Sequence, residues 1–187
     1  MKKYWDNAID FDEYLQIAQQ RLENPKTEKD VEFKPYYELG VNRMDRALKK
    51  YEADEEQTKI LESKNFSGKI LIISEAWCGD ASATVPALVE FFKEHNDVKI
   101  FLRDNDLSLI DQYLTNGTQS IPKVLILNEN FEVTKTWGPR PKHGHELLLK
   151  YKADPENFTK DMFYNDLQIY YSRNRGKDAI QEILELL

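Results

Sequence analysis

An α/β fold is expected for this chain, and three observations carry that expectation. A short apolar run, Lys69-Ile-Leu-Ile-Ile-Ser74, reads as a buried strand and leads directly into a helical pattern. Strand and helix signals then alternate as far as residue 151, in the order β-α-β-α-β-β-α. Helical patterning alone fills both flanks, so residues 1–66 and 152–187 read as extensions on a core at 67–151, and one compact domain is expected.

Each element has its own signal. Asp10 with Glu13 resembles a capping box, and Phe11, Leu15, Ala18 and Leu22 then share one helix face closed by Pro25. A second helix is expected from about Pro35, with Val41, Met44, Leu48 and Tyr51 as its inner stripe and a charged, solvated continuation over Glu52–Lys59. After the strand at Ile70–Ile73, Ala81–Glu94 reads as a helix with Val85, Leu88, Val89 and Phe92 inward. Val98–Leu102 is a strand and Leu107–Leu114 a short helix ended by Asn116-Gly117. Val124–Leu127 and Phe131–Trp137 form a hairpin around Asn128-Glu129-Asn130, and Lys142–Tyr151 closes the core. Asp154-Pro155 reads as the start of an aromatic-rich helix, and Gly176 separates it from a last one bearing Ile180, Ile183, Leu184 and Leu187.

Composition excludes several classes. The chain has 187 residues, 41% hydrophobic and 12% aromatic, enough for a sizeable core. Its 33 acidic and 26 basic residues leave a net charge of −7, which argues against nucleic-acid binding. No apolar run is long enough to span a membrane, and Met-Lys-Lys-Tyr-Trp-Asp is followed by no signal-like stretch. One cysteine makes no internal disulfide and no cysteine-rich metal site, and His143 and His145 do not share a helix face. No metal or cofactor is expected, and a reducing cytoplasm is the expected compartment.

That cysteine is Cys78, within Trp77-Cys78-Gly79-Asp80-Ala81 at the strand-to-helix corner. Amides at a helix N-terminus favour negative charge, and thiol pKa values there fall from about 8.5 toward about 3.5–7.5. Pro86 follows eight residues later, Ile121-Pro122 opens the hairpin 44 residues beyond the cysteine, and Gly138 follows the last strand. Together these features resemble the thioredoxin superfamily over residues 67–151. The resemblance implies a central mixed sheet flanked by helices, a kink at Pro86, and a cis peptide bond before Pro122. It also implies that the Ile121 backbone pairs with an extended substrate segment.

Departures from that pattern narrow the chemistry. Ala81 stands where a second cysteine would resolve a mixed disulfide, and Ile72 where thioredoxins keep a buried acid. Glu75 fits neither the glutaredoxin lysine nor the peroxiredoxin threonine at that place. The expected function is therefore a monothiol thiol-disulfide protein, in which Cys78 forms a mixed disulfide with a client protein or small thiol and an external thiol releases it. Cys78 and Asp80 are the candidate catalytic residues. Trp77, Gly79, Ile121, Pro122 and Arg140 are candidate substrate contacts, Arg140 to an anionic thiol ligand or a substrate carboxylate. Blander readings stand beside these: Asp80 as a first-turn carboxylate complementing the helix dipole, Glu75 as solvated, Trp77 as packing, Arg140 as a surface residue. The rival reading of the whole chain is a non-catalytic module binding a peptide or partner at Ile121-Pro122. A third takes Ala81 as an introduced trap for a mixed disulfide.

Overall fold

The run Lys69–Ser74 becomes the central strand because it is apolar on both faces, as a strand covered from two sides must be. The computed structural model describes residues 1–187. In chain order it contains α1 (Lys2–Asp6), α2 (Phe11–Glu23), α3 (Glu28–Lys49), α4 (Glu55–Lys64), β1 (Lys69–Ser74) and α5 (Gly79–Phe92). There follow β2 (Asp97–Leu102), β3 (Lys123–Leu127), β4 (Val133–Trp137), α6 (Lys142–Ala153), α7 (Lys160–Asn174) and α8 (Lys177–Leu186). The sheet order is β2-β1-β3-β4, with β1 parallel to β2 and antiparallel to β3. Ile72 pairs with Val124 and Ile73 with Lys123, so the start of β3 lies beside the end of β1.

Alternation along β1 divides the core. Ile70 and Ile72 face a cluster built with α2, α3, α4, α5 and α8, while Leu71 and Ile73 face Trp5, Leu109, Ile110 and Ile121. All four β1 residues are essentially inaccessible, and burying each such side chain is worth roughly 1.5–3 kcal/mol. Of the flanking helices, α2, α3, α4 and α8 thus share one apolar cluster with the sheet, α1 packs on its opposite face, and α6 and α7 form a smaller cluster of their own.

Several local expectations are corrected. The second helix starts at Glu28, because Thr27 and Asp30 form a reciprocal capping box, and Pro35 sits inside it. An internal proline costs about 3 kcal/mol, and the buried Tyr37, Gly40 and Met44 of α3 offset that. The charged stretch after it is a separate helix, α4, capped by Asp54 and holding buried Leu61. Residues 107–114 form no α-helix: the segment holds a 3-10 turn at Ile110–Gln112, and the Asp106 carboxylate accepts from the Ser108 amide at 2.9 Å. Asp154 ends α6 and accepts from the Asn157 amide, whereas Thr159 caps α7.

Candidate functional site

The end of β1 delivers a buried polar step before the cysteine. Ser74 is fully buried and shares a 2.8 Å hydrogen bond with the hydroxyl of Tyr14. Glu75, expected to be solvated, is also fully buried: its carboxylate accepts from the Asp104 amide at 2.8 Å and from Arg21 at 3.0 Å. Burial raises its pKa, against the lowering pull of the Asp104 amide and of Arg21. A charge so placed needs partners, and Arg21 also donates to the Tyr37 hydroxyl at 3.0 Å, tying α2 and α3 to the corner. The turn closes when the Cys78 amide donates to the Glu75 carbonyl at 3.0 Å.

Cys78 is the N-cap of α5 and is half-buried. Its Sγ donates to the Ile121 carbonyl at 3.3 Å, so the cysteine and the hairpin entrance meet. The Ile121–Pro122 peptide bond is cis, and the Ile121 N–H makes no backbone hydrogen bond. Burial pushes the Cys78 thiol up to about 12, Asp80 adds to the rise, and the Ala81 and Asp80 amides and Arg140 oppose it. The helix N-terminus is therefore present, yet desolvation outweighs it. Ala81 and Ile72 are both fully buried within the apolar core, so neither position offers a polar group to the sulfur.

Asp80 and Arg140 come together. Arg140 donates to Asp80 Oδ2 through Nε at 3.1 Å and also through Nη2, and the Tyr171 hydroxyl donates to Oδ1 at 2.6 Å. The guanidinium expected to meet a substrate carboxylate is thus engaged by a carboxylate of the same chain, and its side chain is only 15% exposed. Gly138 sets up this return: its φ of +111° and its approach to the Pro122 carbonyl leave no room for a β-carbon. Trp77 is packed rather than free, with its ring 5.0 Å from Phe33, its indole N–H 3.2 Å from Asp104 Oδ2, and the Arg103 guanidinium 5.0 Å over its face. Gly79 lies beside Arg43 of α3.

The structure brings Trp77, Cys78, Gly79, Asp80, Ile121, Pro122 and Arg140 around one corner. Sequence reasoning missed Tyr171, which reaches Asp80 across 91 residues, and the Arg21–Glu75 pair. No local spacing marks either. His143 stands apart, 3.7 Å from Glu146 and with its ring 4.7 Å from Tyr170. No helix is long and apolar enough to cross a membrane.

Comparisons with known proteins agree with the topology. Among solved structures, a protein of unknown function from Pseudomonas aeruginosa aligns with a TM-score of 0.64 at 17% identity, covering 97% of this chain and 92% of the other. An HIV epitope-scaffold aligns with a TM-score of 0.66 at 18% identity, covering 99% and 95%. At such identities the likeness is one of fold. No curated protein matches. The thioredoxin family model Thioredoxin_9 matches residues 27–156, a span that takes in α3 as well as the expected core. With the sheet order, the cysteine corner and that match over more than half its length, the chain belongs to the thioredoxin family.

Proposed function

We propose that the chain is a recognition module of the thioredoxin fold, in which the Ile121–Pro122 edge pairs with an extended segment of a client protein and Cys78 stays a protonated thiol. The observation that carries this reading is the hydrogen bond from Cys78 Sγ to the Ile121 carbonyl. A thiol that donates is held in its neutral form, and burial acts in the same direction. The free Ile121 N–H supplies the donor that a paired backbone needs, and the carbonyl keeps a second lone pair.

The monothiol-exchange reading has one observation in its favour: a half-buried sulfur with the Asp80 and Ala81 amides beside it. In that reading the Cys78 thiolate attacks a disulfide, one sulfur–sulfur bond forms as another breaks, and the leaving thiolate takes up the proton. An external thiol then attacks the mixed disulfide and returns Cys78 to its reduced form, itself becoming oxidised. Intact-mass measurement after challenge with oxidised glutathione near neutral pH separates the two. The recognition reading expects wild type to stay unmodified, and Cys78→Ser to leave the cellular phenotype unchanged. Rapid stoichiometric adduct formation, reversed by reduced glutathione, would overturn it in favour of exchange.

A further inference from the structure

Beside the cysteine corner lies a cavity of about 390 Å³ between α3, the first turns of α5 and the C-terminal end of α7. Arg43, Arg46 and Lys50 reach it from one face of α3 and its cap, and Arg175 reaches it from the residue that caps α7. No acidic side chain lines it, although in a chain with 33 acidic residues about two would be expected among the 12 that do. Arg21, Arg103 and Arg140 each have a carboxylate partner, whereas none of these four cations is in a salt bridge.

Ordinary helix-end effects do not account for the cluster. The C-termini of α3 and α7 meet here, and each offers roughly half a negative charge against four full positive ones. Arg43 and Arg46 stand three residues apart on one helix face, where like charges repel. Arg43 is also half-buried, with Nη1 3.5 Å from where a β-carbon on Gly79 would sit. Desolvation and the charge of Arg46 lower its pKa, as befits a cation lacking its counter-ion. Leu39, Ala87 and the buried Tyr171 give the same cavity an apolar wall.

We propose that this cavity binds a small, multiply charged phosphate compound, with phosphoryl oxygens bridging Arg43, Arg46 and Arg175 and the apolar wall receiving its organic part. Guanidinium groups match phosphate in a two-pronged geometry, and several converging on one site favour a polyanion over a single carboxylate. The proposal is independent of the chemistry of Cys78, and Cys78→Ser is expected to bind unchanged.

Titration calorimetry on the intact protein at fixed ionic strength tests it, with inorganic pyrophosphate, adenosine diphosphate and citrate as probes. Saturable binding of both phosphate compounds is expected, tighter for the nucleotide and at least tenfold weaker for citrate. Arg43→Gln and Arg175→Asn should each weaken the phosphate compounds at least tenfold, asparagine being chosen because it tolerates the left-handed backbone at 175. Arg173→Gln, exposed on α7 outside the cavity, should leave affinity unchanged. If Arg43→Gln fails to fold, the exposed Arg46→Gln carries the same expectation. Absence of saturable phosphate binding, citrate binding as tight as pyrophosphate, or full affinity in the folded variants would overturn the proposal.

Discussion

Raising the pH in steps while following attack of Cys78 on a small aromatic disulfide such as 4,4′-dithiodipyridine gives the sharpest test of the resting thiol. With a pKa of about 12, roughly one thiol in 10,000 is ionised near pH 8, against about one in four for an unperturbed cysteine near 8.5. That is about a 2,400-fold deficit in thiolate. The more basic thiolate is the better nucleophile, and a Brønsted slope of about 0.4–0.5 over about 3.5 units returns roughly 40-fold. The net expectation is attack about 60-fold slower than by free cysteine, slower still because the sulfur is half-buried and must leave the Ile121 carbonyl. The rate should climb about tenfold per pH unit through about pH 10 without levelling, since only the ionised fraction changes. An inflection below about pH 9, or a rate near pH 8 matching free cysteine, would refute the balance in which desolvation outweighs the helix N-terminus.

Asp80→Asn removes a charge that raises the thiol and leaves Arg140 unpaired, so the inflection should move down; stability should fall by about 1.5–3 kcal/mol in denaturant melts, and an unmoved inflection would contradict the assignment. Asp104 is held below the usual carboxylate range: although burial pushes its pKa up, hydrogen bonds and charges from Lys29 and Arg103 outweigh that push. A depressed pKa gives stability that is present above the unfolded value and lost as pH falls, so Asp104→Asn should lower Tm near neutrality, with the gap to wild type closing below about pH 4. A gap that persists at lower pH would count against the charge as its cause. Gly40→Ala would drive a β-carbon into the Ala76 carbonyl, so a loss of about 1–3 kcal/mol and a shift in Trp77 fluorescence are expected, and an unchanged Tm would show that α3 yields there.

What the sequence revealed and what it hid follow one physical division. Buried strands are legible because Ile70–Ile73 must be apolar on two faces, and the cysteine corner is legible because Pro86, Pro122 and Gly138 constrain the backbone locally. The partners of charged side chains are set by tertiary approach, which no local pattern encodes. Glu75 read as solvated because carboxylates usually are; only the folding of α2 across β1 brings Arg21 to it. Arg140 likewise looked available because Asp80 lies 60 residues away in sequence. The start of α3 is hidden for a different reason: Pro35 reads as a boundary, while Thr27 and Asp30 cap the helix upstream.

The lock on Asp80 changes what the terminal helices are for. Three segments far apart in the chain converge on one carboxylate: the first turn of α5, the turn after β4, and α7. Were Asp80 free, its negative charge would offset the positive partial charges at the helix start and oppose any thiolate directly. Tied to Arg140 and Tyr171, it still raises the thiol while Arg140 pulls the other way, and desolvation remains the larger influence on the sulfur. Tyr171 thus ties α7 to the carboxylate beside Cys78. Tyr171 also lines the cationic cavity, so the cavity and the carboxylate beside the thiol share one side chain. An extension that merely covered the sheet would need only apolar contacts. The Tyr171 hydroxyl, donating at 2.6 Å to a carboxylate two residues from the cysteine, makes α7 a structural component of the corner itself.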